Sequence, residues 1–190
     1  FSSAGVEIAY RDEGDGEPIL LIHGFASTMR INWVDTQWLA TLAKSGRRVI
    51  AFDNRGHGDS EKLYDPQYYS ADLMAADARQ LLDHLGVGRA DVMGYSMGAR
   101  NAAFLTLASP ERVRSVVFGG LGINMVRGLA GAKPISAALL APSIDQVASP
   151  TARTFRAFAE QSGGDLRALA ACILGSRGPV MPEQLAKIAC

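Results

Sequence analysis

Two short, unbroken apolar runs, Ile19–Ile22 and Val49–Phe52, constrain the fold of this 190-residue chain more than any other feature, and two further strand-like runs follow at Ala90–Met93 and Val113–Phe118. A strand with one wet face alternates apolar and polar residues, so a continuous run marks a strand buried on both faces. Helical patterns separate the runs. One lies around Trp33 to Ala43 and closes at Gly46. A second begins at the expected N-cap Ser70, carries Leu73, Met74, Ala78, Leu81, Leu82 and Leu85 on one face, and ends at Gly86. A third runs from Met97 to Ala108 and stops at Ser109-Pro110. Strands and helices in this alternation predict an α/β fold with a mostly parallel sheet covered by helices on both faces. Val6 to Tyr10 alternates and is expected as a further strand.

The rhythm stops near residue 124. Met125–Leu140, Ser149–Gln161, Asp165–Leu174 and Pro182–Ala189 all read as Ala- and Leu-rich helices separated by Pro or Gly. The expected organisation is therefore a core over 1–123 and a helical lid over 124–190, above the carboxyl edge of the sheet where α/β ligand sites lie.

Composition removes several function classes. Nineteen basic residues balance nineteen acidic ones, without the basic stripe of a nucleic-acid binder. No apolar run reaches membrane-spanning length. The two cysteines, Cys172 and Cys190, give no disulfide framework. The chain opens at Phe1 without a basic segment followed by an apolar one, so a cytoplasmic location is expected.

The chemistry concentrates at three strand ends. Gly94-Tyr95-Ser96-Met97-Gly98-Ala99 matches G-x-S-x-G directly between a predicted strand and a predicted helix. A sharp turn there strains Ser96, requires small residues at 94, 98 and 99, and lifts the hydroxyl toward a helix N-terminus that favours negative charge. Ser96 is the expected nucleophile. His23-Gly24-Phe25 ends the Ile19–Ile22 strand. An oxyanion hole needs two converging N–H donors; Met97 and Phe25 are placed to supply them. His23 is expected to hold this loop rather than act as a base. Asp53-Asn54-Arg55-Gly56-His57-Gly58-Asp59-Ser60 follows the Val49–Phe52 strand. It lacks both nucleotide-binding glycine fingerprints and reads as a tight turn pinned by Asp53 and Arg55, with His57 part of it. His84 falls on a polar helical stripe and is expected in solvent.

In this order and spacing, His23-Gly24, the Asp53–Ser60 turn and Gly94–Gly98 resemble the α/β-hydrolase superfamily, specifically small bacterial serine hydrolases of the esterase, lactonase and C–C hydrolase type. The resemblance covers about residues 5 to 120. It implies Ser96 as nucleophile, the Phe25 and Met97 N–H groups as oxyanion hole, and Tyr95 and Phe25 as walls of an acyl pocket. It further implies a small carboxylic ester, lactone, thioester or ketone-flanked C–C bond as substrate, with no cofactor or metal. Serine at 96 speaks against the epoxide hydrolase and haloalkane dehalogenase branches, which use a carboxylate.

The family order is serine, then acid, then histidine. Here no histidine follows Ser96. The alternative acid slot, Gly119-Gly120-Leu121-Gly122-Ile123-Asn124, holds no carboxylate, and Asp145 and Asp165 lie in the helical region. The expectation is a front part of a longer enzyme, inactive alone. A non-catalytic protein of the same fold, binding a small molecule or a partner, is the second reading; a Rossmann-type nucleotide binder lacks its fingerprint. Oligomeric state is not set by the sequence. With Val113–Phe118 as an apolar sheet edge, the 190-residue chain made alone is expected to aggregate. Size-exclusion chromatography checks this, and a monodisperse monomer with a cooperative melt contradicts it.

Overall fold

The computed structural model describes residues 1–128 and 131–190. Its sheet runs in the order β3 (Tyr10–Glu13), β5 (Arg47–Phe52), β4 (Glu17–Ile22), β6 (Ala90–Tyr95), β7 (Val113–Gly119). The β4–β5, β4–β6 and β6–β7 pairs are parallel, and β3 is antiparallel to β5. The α/β expectation holds, with one antiparallel edge.

The apolar runs supply both faces. Leu20 and Ile22 of β4, with Ile50, Phe52 and Val92, pack against α2 (Ala71–His84) and α3 (Met97–Ala108). Ile19, Leu21, Val49 and Ala51 pack on the other side against Trp33 and Leu39, the latter from α1 (Trp38–Lys44). Successive residues of a strand point to opposite faces, so a continuous run serves two cores at once. Ser70 caps α2, accepting from the Leu73 N–H at 3.3 Å.

Three local expectations are corrected. The stretch 6–10 is two elements. Val6–Glu7 (β2) forms a small hairpin with Ser2–Ser3 (β1), turning through Ala4 and Gly5 at positive φ, while Tyr10 begins β3. Between them Ala9 is bound by its N–H to Ser60 Oγ and by its carbonyl to the Asp53 N–H. The helix expected near Trp33–Ala43 divides into a π-helical turn, Arg30–Val34, and α1, interrupted at Gln37 with φ +68°. The helix expected over Met125–Leu140 forms α4 (Asn124–Arg127) and α5 (Ala132–Leu140), with Gly128 and Gly131 at positive φ; positions 129 and 130 lie outside the described residues.

Helices α5, α6 (Pro150–Gln161) and α7 (Leu166–Gly175) share one cluster that includes Phe25, Ala26 and Met97, and so they cover the carboxyl edge of the sheet. Arg156 of α6 ties the layer together, donating from Nη1 to the carbonyls of Ala138, Leu139 and Ala141 at 2.8–2.9 Å. The last expected helix is only α8, Pro182–Leu185.

One buried ion pair joins the hairpin, the 53–60 turn and α2. Arg55 donates from Nε and Nη2 to both oxygens of Asp77 at 2.7 Å, and Ser3 Oγ donates to Asp77 Oδ1 at 2.5 Å. Breaking such a pair leaves a buried cation without its partner. Asp77→Ala is expected to destabilise the fold by about 3–5 kcal/mol, measured by denaturant unfolding.

Candidate active site

Ser96 joins β6 to α3 with φ +53° and ψ −113°, a conformation that costs a non-glycine residue roughly 1–3 kcal/mol. The strain persists because its surroundings fix it. The Ser96 N–H donates to Gly119 O of β7 at 2.8 Å, and its carbonyl accepts the Ala99 N–H at 3.0 Å. A Cβ at Gly98 would overlap the Ile22 carbonyl oxygen, and one at Gly94 would overlap Gly98 O. Only glycine lets the start of α3 rest directly on the end of β4. Ser96 makes no side-chain cap bond and is partly exposed.

That contact brings the loop after β4 to the serine. Gly24 lies so close that a Cβ there would sit 3.4 Å from Ser96 Cβ. The Gly24–Phe25 peptide is held on one side by His23, whose Nδ1–H donates to Gly24 O at 2.8 Å. The preceding peptide is held by Asn32 of the π-helical turn, which accepts the Gly24 N–H at 2.8 Å. His23 therefore orients the peptide whose nitrogen is that of Phe25. The Phe25 ring packs 5.9 Å from Phe155 of α6 and 5.9 Å from His57. Met97 is the first residue of α3, where N–H groups have no intrahelical partner. Tyr95 is 48% exposed, its ring lying between the backbones of Gly24 and Gly120. A cleft of about 560 Å³ is lined by Arg11, Thr28, Arg30, Asp59 and Gln161, away from Ser96.

The histidines are engaged elsewhere. His23 is fully buried, its Nε2 accepting the Asn54 N–H at 2.9 Å. Desolvation pushes it from 6.5 down to about 4. His57 Nδ1–H donates to Arg55 O at 3.0 Å, and its buried Nε2 has no partner among the described residues. Burial, then the neighbouring His23, push it to about 3. Both rings are neutral at physiological pH, 5.2 Å apart and edge to face. His84 is exposed at the far edge, stacked on Phe1 at 5.3 Å. Asp53 spans the turn as expected, accepting the Met29 N–H at 2.7 Å and the Asp59 N–H at 2.9 Å. Arg55 reaches away to Asp77. Among the described residues, no histidine or carboxylate is bonded to Ser96.

The asparagines carry what sequence reasoning missed. Asn54 Nδ2 donates to His23 O at 3.2 Å, and Asn101 of α3 donates to Asn54 Oδ1 at 3.2 Å. This chain links the helix behind Ser96 to the loop before it.

A mostly parallel sheet covered by helices, with a strained serine on a strand-to-helix turn at its carboxyl edge and a histidine-braced glycine loop beside it, places the chain among the α/β proteins. The chain belongs to the alpha/beta hydrolase fold family, whose model matches residues 17–158. It is 40% identical over 125 residues to a 2-hydroxymuconate semialdehyde hydrolase of Pseudomonas sp. (strain CF600), covering 64% of this chain and 43% of that one. It is 32% identical over 126 residues to Epoxide hydrolase 2 of Siraitia grosvenorii, 66% of this chain and 38% of that one. The chain thus spans well under half of these relatives' length. A hydrolase structure from Pseudomonas aeruginosa PA01 matches with TM-score 0.74 and 26% identity, covering 98% of this chain and 74% of that one. The enol-lactonase of Burkholderia xenovorans LB400 shares the fold at TM-score 0.79 and 19% identity, over 98% and 76% of the two chains. No described helix is long and apolar enough to cross a membrane.

The buried histidines predict a pH response. The unfolded chain takes up protons near pH 6.5, whereas folded His23 and His57 do so only near 4 and 3. Stability is therefore complete above pH 6.5 and falls as the pH is lowered toward 4. Denaturant midpoints at pH 7 and pH 5 are expected to show this, with His57→Phe removing about half the slope.

Proposed function

We propose that this chain carries the nucleophile and oxyanion half of a serine hydrolase acting on a small carboxylic ester or related acyl substrate. The observation that carries the reading is the backbone of Ser96, a non-glycine residue at φ +53° opening a helix between two glycines that admit no side chain. A binding module has no use for that strain.

In the proposed reaction Ser96 Oγ attacks the substrate carbonyl. The developing oxyanion is met by the Phe25 and Met97 N–H groups, in a field reinforced by the α3 N-terminus. The leaving group departs, and water releases the acid from acyl-Ser96. Helices α5–α7 serve as a lid, and Phe25 and Tyr95 wall the acyl group. The reaction needs a base on Ser96, and His23 and His57 are committed to carbonyls and neutralised by burial. The histidine and its acid are assigned to polypeptide outside these 190 residues, which fits the partial coverage of every relative named above.

A non-catalytic binder of the same fold is favoured only by the missing base, and one experiment separates the two. A fluorophosphonate probe is expected to label Ser96 in a longer natural chain containing this sequence and to leave Ser96→Ala unlabelled. Labelling of the 190-residue chain should be slower by roughly 10⁴–10⁶-fold, the loss seen when triad members are removed. An unlabelled longer chain makes the binder the correct reading.

A further inference from the structure

Helices α5 and α7 pack together, and with the segment 64–66 they frame a cleft of about 260 Å³ that the proposed reaction does not use. On α7 the cleft is lined by Arg167, Ala170, Ala171 and Leu174, spaced i, i+3, i+4 and i+7 along one helical face. The two alanines, with Ser136 of α5, are buried and keep the floor low. Leu140, Leu174 and Tyr64 stand around it as exposed apolar side chains, the two leucines 58% and 42% exposed. A single leucine in solvent is ordinary, but apolar side chains gathered around one cleft mark a surface that takes a ligand.

One end of this cleft is charged. The Tyr64 hydroxyl donates to Asp165 Oδ2 at 3.0 Å, which fixes the ring, and the Arg167 guanidinium lies over that ring, 4.8 Å from its centroid. Stacking uses the flat face of the guanidinium and leaves its edge, with the N–H donors, unspent. Among the described residues Arg167 forms no ion pair, because the nearby carboxylates are engaged elsewhere. Asp165 caps α7, accepting the Arg167 and Ala168 N–H groups at 3.0 and 2.9 Å, and Asp65 accepts the Gln67 N–H at 2.9 Å. Leu174 lies two turns further along α7, about 10 Å from Arg167 at the rise of an α-helix.

We propose that this cleft binds a medium-chain monocarboxylate. Its two oxygens meet the guanidinium fork of Arg167, and its alkyl chain runs over Ala170 and Ala171 toward Leu140 and Leu174. The occupant follows from the two ends of the cleft: a positioned cation without a carboxylate at one, exposed apolar side chains at the other, and the length of a short alkyl chain between them. The inference does not depend on the role of Ser96.

Calorimetric titration of a longer natural chain containing this sequence tests it. Sodium octanoate is expected to bind saturably and about tenfold more tightly than 1-octanol, the difference that a charge-assisted contact makes. Sodium acetate, which lacks the alkyl chain, should give no saturable heat over the same range. Arg167→Gln should reduce octanoate to the affinity of octanol, Arg167→Lys should recover part of the preference, and Leu174→Gln should weaken both ligands. Both side chains are exposed, so the melts of these variants should match the parent's. Equal affinity for octanoate and octanol overturns the proposal, as does octanoate binding untouched by Arg167→Gln, which places the ligand elsewhere in the molecule. Absence of octanoate binding also overturns it; if the chain is then a dimer that Leu140→Lys dissociates, the cleft is an interface between copies.

Discussion

The structure turns on one backbone contact, the seating of Gly98 on the carbonyl of Ile22. A methyl group at this point would push α3 off the end of β4. With α3 in place, the first turn of that helix lies next to the loop at Gly24, and Ser96 is held at positive φ between them. The strain at Ser96 is thus a consequence of helix and strand meeting at van der Waals distance. Its cost is carried by the parallel ladder of β6 with β4 and β7 and by the apolar packing under α3.

Buried polar groups then fix the loop that the contact brings near. His23, Asn32 and Asn54 place hydrogen bonds on either side of Gly24, Asn101 holds Asn54 in turn, and each bond is stronger inside the protein than in water because no solvent competes for its partner. The same burial removes His23 and His57 from acid–base chemistry. Each ring spends its Nδ1–H on a backbone carbonyl, and desolvation makes the charged form inaccessible near neutral pH. The burial that orders the Gly24 loop therefore keeps both of its histidines neutral near pH 7.

Much of this was legible because strong signals agree. The strand-like runs, the glycines at 94 and 98 and the serine between them constrain the same turn at the levels of propensity, pattern and packing. The misread elements are those where a single residue overrides a periodic pattern. Ala4-Gly5 turns the chain back before residue 6, and Ala9 is captured by Ser60 and Asp53, so an alternating stretch becomes two pieces. Gln37 at positive φ interrupts a helix that composition alone would continue. Asn32 gives no sequence signal, since an asparagine in a helical pattern looks like surface. Arg100 is hidden for the opposite reason: arginine is normally exposed, yet on α3 it is 1% exposed.

The two edges of the sheet give the last step. Strand β3 ends the sheet with Arg11, Asp12 and Glu13, mostly exposed, and Arg48 clamps Asp12 with two bonds of 2.9 and 2.7 Å. This is an edge made unattractive to another strand by charge. Strand β7 is charged only at its start, where Arg114 pairs with Asp91, and continues as Val116-Val117-Phe118 with Val117 51% and Phe118 37% exposed. Its second half has the composition of an interior strand and none of the devices that protect β3. The unprotected half lies at the carboxyl end, beside Tyr95 and Gly120. Further strands added there would bring their own carboxyl ends to the same edge as Ser96. The sheet edge without such protection and the turn that carries Ser96 are therefore adjacent, joined by the Ser96 N–H bond to Gly119 O at 2.8 Å.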